Sequence, residues 1–125
     1  MAHTVAILNS SDDVVEMLRS LLEHAGFNTV AGHVPEFKRG EQDLIAFLET
    51  HNPDVIIYDI APPYLENWTF LKLILQTEAA AGRKFVLTTA NERLLRDVAG
   101  AGIEVFEIAE KPDNLNAILN AVKRA

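Results

Sequence analysis

The segment Val55-Ile56-Ile57-Tyr58 runs without a polar interruption into Asp59, with Pro53 just before it and Pro62-Pro63 just after. Residues that are apolar in succession, rather than alternately, predict a strand covered on both faces. Such strands belong to parallel sheets packed between helices. In these sheets ligands and chemistry occupy the crevice beyond the carboxyl ends of the strands. Asp59 falls at that edge, where a carboxylate is held rigidly yet can still be reached.

The rest of the chain supplies the partners that such a strand needs. Val5-Ala6-Ile7-Leu8 reads as a first strand, and Ser10 or Ser11 can cap a helix with the apolar stripe Val14, Val15, Leu18, Leu21 and Leu22. Gly26 stops that helix, and Phe27 to Ala31 reads as the second strand. Gly32 to Gly40, with Pro35, Lys38 and Arg39, reads as an extended loop with solvated cations. A helix from about Glu41 turns Leu44, Ile45, Phe47 and Leu48 inward and ends before Asn52-Pro53. After the Asp59 strand, a helix from Trp68 to about Ala80 buries Phe70, Leu71, Ile74 and Leu75. Phe85 to Thr89 is the fourth strand, and a helix from Asn91 carries Leu94, Leu95 and Val98 until Gly100 and Gly102 break it. Val105 to Ile108 is the fifth strand; Lys111-Pro112 and a helix with Leu115, Ile118, Leu119 and Val122 close the chain. Five strands alternating with five helices predict a doubly wound α/β sheet in one domain, residues 1–125.

Composition excludes several functions. The 125 residues are 49% hydrophobic and 23% charged, ordinary for a globular domain, and no apolar run reaches membrane-spanning length. A net charge of −7 argues against binding nucleic acid, which takes its affinity from Lys and Arg on phosphates. The absence of cysteine rules out disulfides and thiolate chemistry and agrees with a cytoplasmic setting. His3, His24, His33 and His51 show no metal-ligand spacing.

Asp59, Thr89 and Lys111 end the third, fourth and fifth strands, with Thr89-Ala90, Lys111-Pro112 and Pro63 as local companions. Along essentially its whole length this pattern resembles the receiver domains of bacterial two-component response regulators. The resemblance implies a flavodoxin-like, CheY-like (βα)5 fold with strand order 2-1-3-4-5. It implies that Asp59 accepts a phosphoryl group from a histidine kinase or phosphotransfer protein, a self-phosphorylation and no other catalysis. It assigns Lys111 a fixed positive charge, Thr89 a hydroxyl that moves onto a phosphoryl oxygen, and Ala61 a backbone carbonyl for a magnesium ion. Such transfer rests on positioning and charge neutralisation. The implied output is a downstream protein, and the helix after strand four, strand five and the last helix form a candidate homodimer face. The chain ends soon after that helix, so the domain is expected to act on a partner, alone or as part of something longer.

Two departures matter. In the family, strand one ends in two acidic residues that hold the magnesium; Asn9 and Ser10 stand there here. Magnesium is usually held by one or two carboxylates plus waters, so Mg2+ binding is expected to be weak or absent. Asp12 and Asp13, three positions later, read as first-turn helix acids. With little metal, Lys111 is expected to pair directly with Asp59. An aromatic usually stands three residues before the lysine; Ile108 occupies that place and Phe106 reads as core. Two readings stay open: a phosphoacceptor, or a pseudo-receiver that binds proteins without phosphorylation. A flavin or nucleotide enzyme is disfavoured, because the turn Asn9 to Asp13 has no glycine and its carboxylates repel phosphate. Tyr64 and Trp68 read as half-buried anchors near the loop after Asp59.

Overall fold

The computed structural model describes residues 3–100, 107–110 and 115–125. Lys111, Phe106, Val105 and Gly102 lie outside the described residues. Five parallel strands, β1 (Thr4–Asn9), β2 (Asn28–His33), β3 (Val55–Ile60), β4 (Lys84–Thr89) and β5 (Glu107–Glu110), pair in the order β2-β1-β3-β4-β5. This is the doubly wound α/β arrangement, strand order 2-1-3-4-5, that the sequence predicts.

All six residues of β3 are buried, as an unbroken apolar run requires. Successive side chains point to opposite faces, so the run divides between two cores. On one face Ile56, Tyr58 and Ile60 join Leu8, Phe85 and Leu87. That face is covered by α3 (Leu44–His51), α4 (Tyr64–Leu75) and α5 (Glu92–Ala99) through Leu48, Trp68, Leu71 and Leu95. On the other face Val55 and Ile57 join Val5, Ile7 and Val86 under α1 (Asp12–His24) and α6 (Leu115–Arg124). The start of β3 is clamped by Arg83, whose Nη1 donates to Asn52 Oδ1 at 2.9 Å and to the Pro53 carbonyl at 2.8 Å.

Local capping sets the helix starts. Ser11 accepts from the Val14 amide, Asp43 from Ile45 and Ala46, and Asn91 from Leu94. Asp43 therefore starts α3 at Leu44, later than the expected Glu41. Helix α4 starts at Tyr64, directly after Pro63, and ends at Leu75; Glu78–Ala80 form a separate 3-10 turn. Trp68 is a buried core residue of this helix rather than a half-buried anchor near a loop. Of the strand expected over Val105 to Ile108, Glu107 and Ile108 fall in β5, and Val105 and Phe106 lie outside the described residues.

The segment expected as an extended loop is ordered instead. Strand β2 continues to His33, and α2 (Val34–Lys38) follows, with Pro35 in its first turn, where a missing amide costs nothing. Val34 and Phe37 are buried and anchor α2 to the sheet. Gly32 makes room for this: a Cβ there would stand 2.7 Å from Phe37 Cε2 and 2.8 Å from Leu8 Cδ2. Burying a side chain such as Phe37 stabilises by about 1.5–3 kcal/mol, which is enough to hold one helical turn in place.

Gly32→Ala is expected to push Phe37 off the sheet and lower stability by about 1–3 kcal/mol, the usual cost of overpacking; a urea midpoint equal to wild type would contradict the packing described. Burial raises the Tyr58 phenol well above its ordinary 10.0, and the charge of Asp59 adds to the shift. The native state then keeps a proton that the unfolded chain loses. Stability should fall as pH rises past that value, and Tyr58→Phe should flatten the fall in alkaline denaturation curves.

Candidate functional site

Asp59 is 5% exposed and stands in register with Thr88 on the neighbouring strand. Register partners on parallel strands project from the same face. The Thr88 hydroxyl donates to Asp59 Oδ1 at 2.9 Å, so the buried carboxylate has a fixed orientation. Thr89 lies one residue further, on the opposite face and fully buried; its Oγ1 accepts from the Asn91 amide at 3.3 Å. The threonine in contact with Asp59 is therefore Thr88, which the sequence alone leaves as an ordinary strand residue.

The end of β1 is occupied by local hydrogen bonding. Asn9 is 2% exposed, and its Oδ1 accepts from the Ser11 amide at 2.9 Å, closing the turn into α1. Ser10 is exposed, and its carbonyl accepts from His33 Nε2 at 3.1 Å. Asp12 and Asp13 stand exposed in the first turn of α1, where the helix dipole favours them.

Across the cavity from β1, Asn67 of α4 links two groups. Its Nδ2 donates to the Ala61 carbonyl at 2.5 Å, and its Oδ1 accepts from Lys38 Nζ. Lys38 also lies 3.5 Å from Glu66, a contact made weak by the exposure of the glutamate. Arg39 also lines the cavity, and its guanidinium donates to Glu41 at 2.7 Å; that hydrogen bond holds the Glu41 carboxyl below its ordinary range and the Arg39 guanidinium above its own. Asp59, Ser10, Ala61, Lys38, Glu66 and Asn67 together line an open cavity of about 470 Å³ at the carboxyl edge. The sequence reading leaves Lys38 in solvent; the structure makes Lys38 part of the lining of the Asp59 cavity, with its ammonium on Asn67 Oδ1.

The oxygens that the family pattern assigns to magnesium carry hydrogen bonds of their own at this edge. Magnesium needs near-octahedral oxygen ligands. Asn9 Oδ1 is committed to an amide, the Ala61 carbonyl accepts from Asn67, and an ammonium lines the same space. Among the described residues no three His, Cys, Asp or Glu side chains gather as a metal site. Lys111, at the end of β5 in sequence, lies outside the described residues.

Solved structures share this architecture across 99% of the chain. Chemotaxis response regulator CheY4 of Vibrio cholerae superposes with a TM-score of 0.77 at 19% identity, covering 98% of that chain. A putative response regulator from Chloroflexus aurantiacus gives 0.76 at 23%, covering 97% of it. The fold is thus that of the response-regulator receivers. In sequence, chemotaxis protein CheY of Bacillus subtilis is 28% identical over 124 residues, 99% of this chain and 98% of the relative. No family model matches. The chain is homologous over its full length to CheY and to the receiver domains of two-component response regulators.

Restoring the acidic pair tests the placement of Asn9 and Ser10. Asn9→Asp with Ser10→Asp should raise magnesium affinity by on the order of tenfold or more in calorimetric titration, because two carboxylates join Asp59. An affinity unchanged from wild type would contradict that placement.

Proposed function

We propose that this receiver accepts a phosphoryl group on Asp59 from a histidine kinase or phosphotransfer protein and passes the signal to a downstream protein in the cytoplasm. The observation that carries this reading is the Asp59 carboxylate itself, oriented by Thr88 at the mouth of a cavity on the carboxyl edge of the sheet. A phosphoryl group has little covalent help to receive from a protein; what it needs is a positioned nucleophile and nearby positive charge. Thr88 positions the carboxylate. Thr89 and Lys111 are the proposed partners of the phosphorylated state, and Ala61, Asn9 and Ser10 mark the metal position at which Mg2+ binds weakly or not at all. The face of α5, β5 and α6, where Leu94 and Val98 are exposed, is the proposed surface for a second copy.

The alternative is a pseudo-receiver, in which the same fold binds a protein partner without phosphorylation. It is favoured by one feature: the turn oxygen of Asn9 and the carbonyl of Ala61 are both already hydrogen-bonded. Intact mass decides between them. Incubation with a small acyl phosphate should add one phosphoryl group to wild type and none to Asp59→Asn. No added mass under any metal condition would establish the pseudo-receiver.

A further inference from the structure

We propose that Lys38 takes the place of the divalent cation, so that phosphoryl groups bind beside Asp59 in this chain without metal. The inference rests on the reading of Asp59 as phosphoacceptor and adds to it the identity of the positive charge.

Three observations converge on Lys38. Its side chain is 25% exposed, low for a lysine at the end of a short helix, and it lines the same cavity as Asp59. Its ammonium is held by Asn67 Oδ1, and Asn67 is itself buried and fixed by its bond to the Ala61 carbonyl. The helix that carries Lys38 is pinned by Phe37 against Gly32 and Leu8, so its position is set by the core. Arg39 also lines the cavity, but it is more exposed and its charge is paired with Glu41 at 2.7 Å, so among the described residues Lys38 is the less exposed of the two cations there.

An ammonium carries three donors. Asn67 takes one and Glu66 only a long contact, so the group retains capacity to donate to phosphoryl oxygens. The carbonyl of Ala61, which a metal would use, accepts a hydrogen bond from Asn67. The same amide thus takes one lone pair of that carbonyl and aims the replacing charge. In the transfer, an Asp59 carboxylate oxygen bonds to phosphorus as the bond from phosphorus to the acyl oxygen breaks. The electron pair leaves with the carboxylate product, and no proton is required. Lys38 faces the charge on the transferring group throughout.

The test uses the whole chain, acetyl phosphate and intact mass, with EDTA or with magnesium. Wild type should be labelled at similar rates in both, and Lys38→Gln should slow labelling in EDTA by roughly 100-fold, the scale of losing one preorganised electrostatic contact. Lys38→Arg should retain most of the rate, and circular dichroism should show all variants folded. Labelling that requires magnesium, or that Lys38→Gln leaves unchanged in EDTA, overturns the proposal and leaves the phosphoacceptor reading standing. No labelling in either condition overturns both.

Discussion

Burial of β3 on both faces is the constraint on which the site depends. Ile56, Tyr58 and Ile60 are locked into one core, Val55 and Ile57 into the other, and Arg83 clamps the entry to the strand. A strand held this way cannot slip by one residue without moving every side chain to the wrong core. Asp59 is consequently delivered to one place, level with Thr88, whose hydroxyl is the donor that a buried carboxylate needs. Its position is a by-product of packing.

Around that fixed carboxylate the end of β1 carries Asn9 and Ser10 in place of a carboxylate pair. A carboxylate pair at the end of β1 would leave negative charge to be neutralised; Asn9 and Ser10 leave none and use their oxygens in the turn into α1 and toward His33. Positive charge stands on the other side, on Lys38 of α2, held by the amide of Asn67 on α4. The chain of cause runs from Gly32, which admits Phe37 to the sheet, through α2, to Lys38 and then Asn67.

The strands and Asp59 were legible because they depend on local pattern: unbroken apolar runs, prolines and glycines at their ends, and serine, aspartate or asparagine caps. The order of strands followed from the resemblance carried by Asp59, Thr89 and Lys111. What escaped the sequence depended on contacts between distant residues. Thr88 and Thr89 are adjacent and alike, and only the pairing of β3 with β4 decides which one faces Asp59. Lys38 sits in a stretch rich in loop-forming residues, and its helix exists because Phe37 finds the gap at Gly32. The spacing of Val34 and Phe37 around an early proline was the available hint of that turn. Asn67 carried a hint too, as a polar residue beside Trp68 and one turn before Leu71 on the buried side of α4.

On the proposed mechanism, the Lys38–Asn67–Ala61 bridge stands where a receiver would hold its metal. A high-resolution crystal structure of wild type grown in magnesium chloride tests it most directly. The account predicts Asn67 on the Ala61 carbonyl, the Lys38 ammonium in the Asp59 cavity and no octahedral ion between them. An octahedral magnesium bound to Asp59 and the Ala61 carbonyl, with Asn67 turned away, would contradict it.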